Sequence, residues 1–238
     1  MRQNTGWLQT TDAGTGLEER PAKNIDPQNP TNSRVALGNA AARRVSVNLG
    51  ALWLVLLNYI AIGALPTVFF RRDDGLNLMW WITAWPFFFN PLLLVAGYFG
   101  FVEAWFEVPP PLGSVKTLLV TTLSACSLTL IGFTVGTHRT PVSLWHQKDD
   151  APVIIVQHGA YRWVRHPFYT AFLIVFIATW VLLPAPWTSV TLIYGFLILN
   201  FTAAGEEKRL SKSEFGDEYA AYMKRTGRFW PRLGTASS

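Results

Sequence analysis

Residues 167–210 read "PFYTAFLIVFIATWVLLPAPWTSVTLIYGFLILNFTAAGEEKRL". An apolar run from Phe168 to Leu183 meets Pro184 and Pro186, and a second apolar run follows from Trp187 to about Ala204. Proline lacks the helical N–H and clashes with the preceding turn, so "PAPW" divides two helices and joins them through a tight, uncharged turn. A helix needs about 20 mostly apolar residues to cross about 30 Å of hydrocarbon. The first run is short for a crossing, and the second is close to that length. The pair reads as a helical hairpin with a neutral tip, and both of its polar ends lie on one side.

Composition sets the hairpin in an all-α, multi-pass membrane bundle. Half of the 238 residues are hydrophobic, 15% are charged and 11 are tryptophan. An ordinary soluble domain carries about a quarter charged residues. The net charge of +5 comes from short basic clusters flanking apolar runs. That pattern is not the basic stripe of a nucleic-acid-binding fold, and no nucleic-acid partner is expected. Cys126 is the only cysteine, which excludes an intrachain disulfide and a thiolate metal cage. His138, His146, His158 and His166 do not share one helical face, and no set of acidic or thiol ligands accompanies them, so no metal is expected.

Three regions follow from the apolar pattern. Residues 1–44 are rich in Gly, Pro, Asn, Thr and charge, with no sustained apolar period, and read as a mobile tail. Residues 45–136 hold the N-terminal transmembrane helices. Val47 to Phe70 is one span, stopped by "RRDDG". Leu76 to Phe106 is interrupted by Pro86 and Pro91, which predicts an interfacial stretch with Trp80, Trp81 and Trp85, then one helix ending near Phe106. Val115 to Val135 is a third span, set off by Pro109 to Pro111. With the hairpin this makes about five transmembrane helices. Residues 137–238 form the third region, whose flanks His138–Arg165 and Glu206–Arg232 are both net basic and lie on the same side. The excess of Lys and Arg in loops puts that side in the cytoplasm. Five spans would leave the tail outside, against the sense of Arg43 and Arg44.

The hairpin also juxtaposes chemistry. "HGAYRWVRHPFY", residues 158–169, precedes it, and "GEEKRL", residues 205–210, ends it. Glu206 and Glu207 thus face Arg162, Arg165, His158 and His166 across one helix pair. Simple ion pairing accounts for such groups, because carboxylates near hydrocarbon need cations. A site for a zwitterion accounts for them as well: the glutamates take an ammonium or ribose hydroxyls, and the arginines take a carboxylate. Tyr161, Trp163 and Tyr169 then supply flat walls for a base or a sulfonium. Further on, Phe215, Tyr219 and Tyr222 share one helix face with Lys224, Arg225 and Arg228 beyond, the pattern of a short amphipathic surface helix.

The order of these elements resembles the isoprenylcysteine carboxyl methyltransferase family and the related membrane phospholipid methyltransferases. The resemblance covers roughly residues 136–233: a Gly-x-Tyr-x-x-x-Arg-His-Pro-x-Tyr motif, a hairpin, a Glu-Glu pair and the "FGDEY" tail. It implies an S-adenosylmethionine-dependent methyltransferase. By that resemblance the cofactor is held by Gln157, His158, Gly159, Tyr161, His166, Pro167, Tyr169, Glu206 and Glu207, under a cap formed by the C-terminal segment. Arg165 is the candidate for orienting a substrate carboxylate, and Glu206 or Glu207 is the nearest base if the acceptor is an amine. Ala160 replaces the proline common at that position. The acceptor is expected to be an amphiphile entering from the bilayer, with a prenylcysteine-like or other lipophilic carboxylate preferred over a lipid amine. A sterol-type membrane reductase with a nicotinamide cofactor and a noncatalytic membrane scaffold or small transporter are the alternatives from other classes.

The shared side of the two basic flanks is open to test. Cysteines introduced at Ser143 and Ser237 should be labelled from the same face of sealed vesicles, and labelling from opposite faces would remove the hairpin topology.

Overall fold

Asn48 opens the first helix of the computed structural model, its Oδ1 accepting the Ala51 N–H at 3.1 Å. The structure describes residues 48–65, 75–106, 108–137 and 155–232. Among these there are six α-helices. They are α1 (Leu49–Gly63), α2 (Leu78–Tyr98), α3 (Pro110–Thr137), α4 (Pro167–Leu182), α5 (Pro186–Leu210) and α6 (Gly216–Arg225), with one 3₁₀ turn at Gly159–Arg162. Prolines begin α3, α4 and α5, where the missing N–H is one the helix would leave unpaired anyway.

Helix α4 is the hub. It packs most extensively on α3 and also against α5 and α1. Its Ala171, Phe172, Val175, Phe176 and Ala178 are fully buried. Three interior side-chain contacts pair polar groups across helices, which suits a medium without water. The Tyr59 hydroxyl and Thr179 Oγ1 lie 2.7 Å apart between α1 and α4. Thr191 Oγ1 donates to Asn90 Oδ1 at 2.7 Å between α5 and α2. Ser127 Oγ donates to the Ala171 carbonyl at 2.9 Å between α3 and α4.

The outer surface carries large apolar side chains, including Trp53, Ile60, Leu92, Leu118, Ile193 and Phe201, all exposed. An all-helical bundle with this exterior is a membrane bundle. Helices α2, α3 and α5 are long and apolar enough to cross a membrane, whereas α1 and α4 are apolar but shorter.

Three boundaries differ from expectation. Helix α1 ends at Gly63, before the expected limit at Phe70, and residues 66–74, including most of "RRDDG", lie outside the described residues. Helix α5 continues past Ala204 to Leu210, so Glu206 and Glu207 stand on its last turns. The largest difference is in α2. Trp80, Trp81 and Trp85 belong to one continuous helix that runs through Pro86 and Pro91 and ends at Tyr98. The ring of Pro86 leaves the carbonyl four residues before it, that of Ile82, without its helical donor. The Tyr194 hydroxyl of α5 donates to that oxygen at 2.7 Å. A neighbouring helix thus supplies what the proline removes, which is how membrane helices tolerate proline. The tail expected over residues 1–44, and His138 and His146, lie outside the described residues.

Tyr194→Phe keeps the ring that packs 5.2 Å from Trp85 and deletes only the hydroxyl. The detergent-purified protein should lose about 0.5–1.5 kcal/mol of stability. Thermal unfolding measures this, and an unchanged midpoint would mean that the proline needs no external donor.

Candidate functional site

Because α4 and α5 run antiparallel from a shared tip, the start of α4 meets the end of α5. His166 is the residue before α4, with Pro167 as its first helical residue. Glu206 and Glu207 are both buried. The C-terminal segment completes the arrangement by pairing with the loop before α4. The Arg165 N–H donates to the Gly227 carbonyl at 2.9 Å and the His166 N–H to the Arg228 carbonyl at 3.1 Å. Thr170 Oγ1 donates to the Phe229 carbonyl at 2.9 Å. Gly227 fits because a Cβ there would lie 1.7 Å from the Trp230 carbonyl oxygen, an impossible approach.

Glu207 is the most heavily contacted group. Its Oε1 accepts from Arg165 Nε at 2.9 Å and Arg228 Nε at 3.1 Å, and its Oε2 meets Arg228 Nη2 at 2.5 Å. Arg228 also donates from Nη1 to Asn200 Oδ1 at 2.7 Å. Glu206 accepts from the Tyr169 hydroxyl at 2.7 Å. His166 bridges the pair, with Nδ1 3.3 Å from Glu206 and Nε2 3.3 Å from Glu207. Its Nε2 is fully buried and lacks the alignment of a hydrogen bond. Burial opposes protonation of this imidazole, but the close carboxylates of Glu206 and Glu207 outweigh burial and raise it above its ordinary value. The His166 ring also stacks on Tyr169, with centroids 5.4 Å apart.

Around this centre the other expected residues divide. Gln157 is tied to α6: it accepts from Arg225 Nη2 at 2.8 Å and donates to Glu218 at 2.5 Å. Gly159 opens the 3₁₀ turn with φ of +59°, a conformation that suits glycine. The Tyr161 carbonyl accepts the Tyr222 hydroxyl at 2.6 Å. Burial raises the Tyr161 phenol above its usual range, and Tyr222 and Glu206 push the same way, so it stays a protonated donor. His158 and Arg162 are exposed, and the Arg162 guanidinium sits 5.8 Å from the Trp163 ring. Of the four cations expected opposite the glutamates, the structure therefore brings Arg165 and His166 onto them. Arg228 takes the place that Arg162 was expected to fill. Sequence spacing marked Arg228 only as part of a surface helix, and α6 in fact stops at Arg225. The signal available was two buried carboxylates at a helix end, which call for more cations than the Arg-His-Pro motif supplies.

Beside Arg165 lies an open cleft of about 490 Å³, lined by Arg165, Met223, Thr226, Gly227, Trp230, Pro231 and Arg232. This is within the range of small-molecule sites, about 300–1,000 Å³.

Residues 118–212 match the isoprenylcysteine carboxyl methyltransferase (ICMT) family. The match spans about two fifths of the chain and bears out the resemblance carried by the Arg-His-Pro motif, the hairpin and the Glu-Glu pair. It implies a membrane methyltransferase. The ICMT match begins in α3, earlier than the motifs indicated, and stops before α6 and the segment carrying Arg228. No curated protein matches the chain.

The raised imidazole gives a signed pH dependence. Stabilisation from charged His166 is complete below the ordinary value of 6.5 and is lost as pH rises through the higher folded-state value. Thermal unfolding of the unsubstituted protein and of His166→Gln, compared between about pH 8.5 and pH 6, should show the difference growing as pH falls. A difference independent of pH would mean that His166 stays neutral between the glutamates.

Proposed function

We propose that this protein transfers a methyl group from S-adenosylmethionine to an amphiphilic acceptor, and that the acceptor atom is a carboxylate oxygen. The observation that carries this function is the buried Glu206–Glu207 pair set against Arg165, His166 and Tyr169 within the stretch that matches the ICMT family. The donor set suits a zwitterionic sulfonium. Carboxylates accept from an ammonium or from ribose hydroxyls, guanidiniums bind a carboxylate, and the rings of Tyr161 and Tyr169 attract a cation. His166 Nε2, buried and poorly aligned with its neighbour, leaves hydrogen-bonding capacity within the same set.

When bound, S-adenosylmethionine supplies an electrophilic methyl carbon. A carboxylate acceptor is already nucleophilic, so the chain's task is alignment and exclusion of water. Arg165 is assigned to orient the acceptor: Glu207 and the carbonyls of Met223 and Thr226 hold its guanidinium. Gln157, His158, Gly159, Tyr161, His166, Pro167, Tyr169 and Glu206 are assigned to the cofactor. Glu207 is assigned to hold Arg165 and Arg228 in place while it bounds the cofactor site. The neutral turn at the far tip and the basic flanks at this end support a cytoplasmic site, reached by the cofactor from water and by the acceptor from the bilayer.

Three measurements test these assignments. Glu206→Gln should weaken S-adenosylhomocysteine binding by about 1.5–3 kcal/mol, the worth of a charge-assisted hydrogen bond. Glu207→Gln should lower thermal stability as well, because two guanidiniums lose their shared carboxylate. Unchanged affinity in the Glu206 variant would leave that residue a purely structural role. In an assay with labelled S-adenosylmethionine and prenylcysteine, fatty-acid and aminophospholipid acceptors, the product should be base-labile, as a methyl ester is. A base-stable product would replace the carboxylate with an amine, and turnover of a small hydrophilic acceptor would remove entry from the bilayer.

A further inference from the structure

The cleft beside Arg165 has a feature that pairing within the glutamate cluster does not use. Arg165 Nη1 lies 3.4 Å from the Met223 carbonyl oxygen, and Arg232 Nη1 lies 3.4 Å from the same oxygen while donating to the Lys224 carbonyl at 2.8 Å. Two guanidiniums therefore converge on one neutral acceptor. At that range like charges repel. Among the described residues, the bonds of Arg165 engage Nε and Nη1 and those of Arg232 engage Nη1, which leaves an Nη2 on each for a ligand. Charge counting points the same way. Glu206 and Glu207 are the carboxylates in contact with this set, and Glu207 is shared by Arg165, Arg228 and His166. Arg232 adds a cation that neither glutamate contacts in the described bonds. Of the other lining, Met223, Trp230 and Pro231 form an apolar wall, with Thr226 and Gly227 beside it. Trp230 is more than half exposed, at 57%.

We infer that this cleft binds the oxyanion head of an amphiphile, with Arg232 as its second cation beside Arg165 and the Met223–Trp230–Pro231 wall against the apolar part next to the head. Arg232 is thereby a specificity-determining residue that favours acidic over neutral amphiphiles. The occupant is the acceptor if the proposed methyl transfer is correct, and the identity of the occupant, though not the binding itself, rests on that assignment. The same chemistry is offered by an anionic bilayer headgroup.

The test uses the full chain in detergent with no methyl donor, so failure of the methyltransferase assignment cannot imitate failure of this one. Dibromostearate quenches tryptophan on contact, and its methyl ester is the neutral control with the same body. The acid should quench at lower concentration than the ester, and Trp230→Phe should remove the part of the signal that differs. Arg232→Gln, at an exposed position, should weaken acid binding about tenfold and leave the ester unaffected. Competition by phosphatidylglycerol in nanodiscs would identify a bilayer lipid as an occupant. Binding of the acid without such competition would identify the acceptor. Equal quenching by acid and ester, or an acid preference that survives Arg232→Gln, would overturn the assignment.

Discussion

A carboxylate buried at the end of a membrane helix has to be met by cations or it will not stay ionised, and Glu207 is met by Arg165, Arg228 and His166 together. Each partner comes from a different stretch of chain than α5. Arg165 and His166 belong to the loop before α4, and Arg228 belongs to the segment after α6. One charged oxygen pair therefore fixes the relative positions of the hairpin's two polar ends and the C-terminus. Removing Glu207 itself would leave two guanidiniums and an imidazole without their shared carboxylate, and that penalty makes the arrangement specific as well as stable.

The sequence made half of this centre legible. Charged groups beside an apolar run are expensive, so Arg165, His166, Tyr169, Glu206 and Glu207 stood out, and "PAPW" required the antiparallel hairpin that joins them. Arg228 did not stand out, because it lies beyond a turn whose return path depends on backbone pairing between Arg165 and Gly227. No periodicity encodes that pairing. The misread of α2 has a comparable cause. Proline signals a break when only the local chain is considered, but Tyr194 repairs the break at Ile82 from a residue 112 positions away.

The apolar helices were easier to read than their limits. Hydropathy identifies a run that prefers hydrocarbon, and caps determine where the helix stops. Asn48 caps α1 and Asn77 caps α2, each with its side-chain oxygen on a backbone N–H three residues on. In α5 the polar residues Glu206, Glu207, Lys208 and Arg209 continue the helix beyond its apolar part. The cations that pair with the glutamates, and a basic last turn that complements the helix dipole, favour that extension.

The unequal lengths of the hairpin helices give the site its depth. Helix α4 has 16 residues and α5 has 25. At about 1.5 Å per residue, α4 spans about 24 Å from the neutral tip, less than the hydrocarbon thickness, while α5 reaches well past it. The Arg-His-Pro motif at the head of α4 is thus met by the glutamates on the last turns of α5, which extends beyond it. The short helix keeps the Arg-His-Pro motif and the glutamates of α5 together at the polar end of an apolar hairpin.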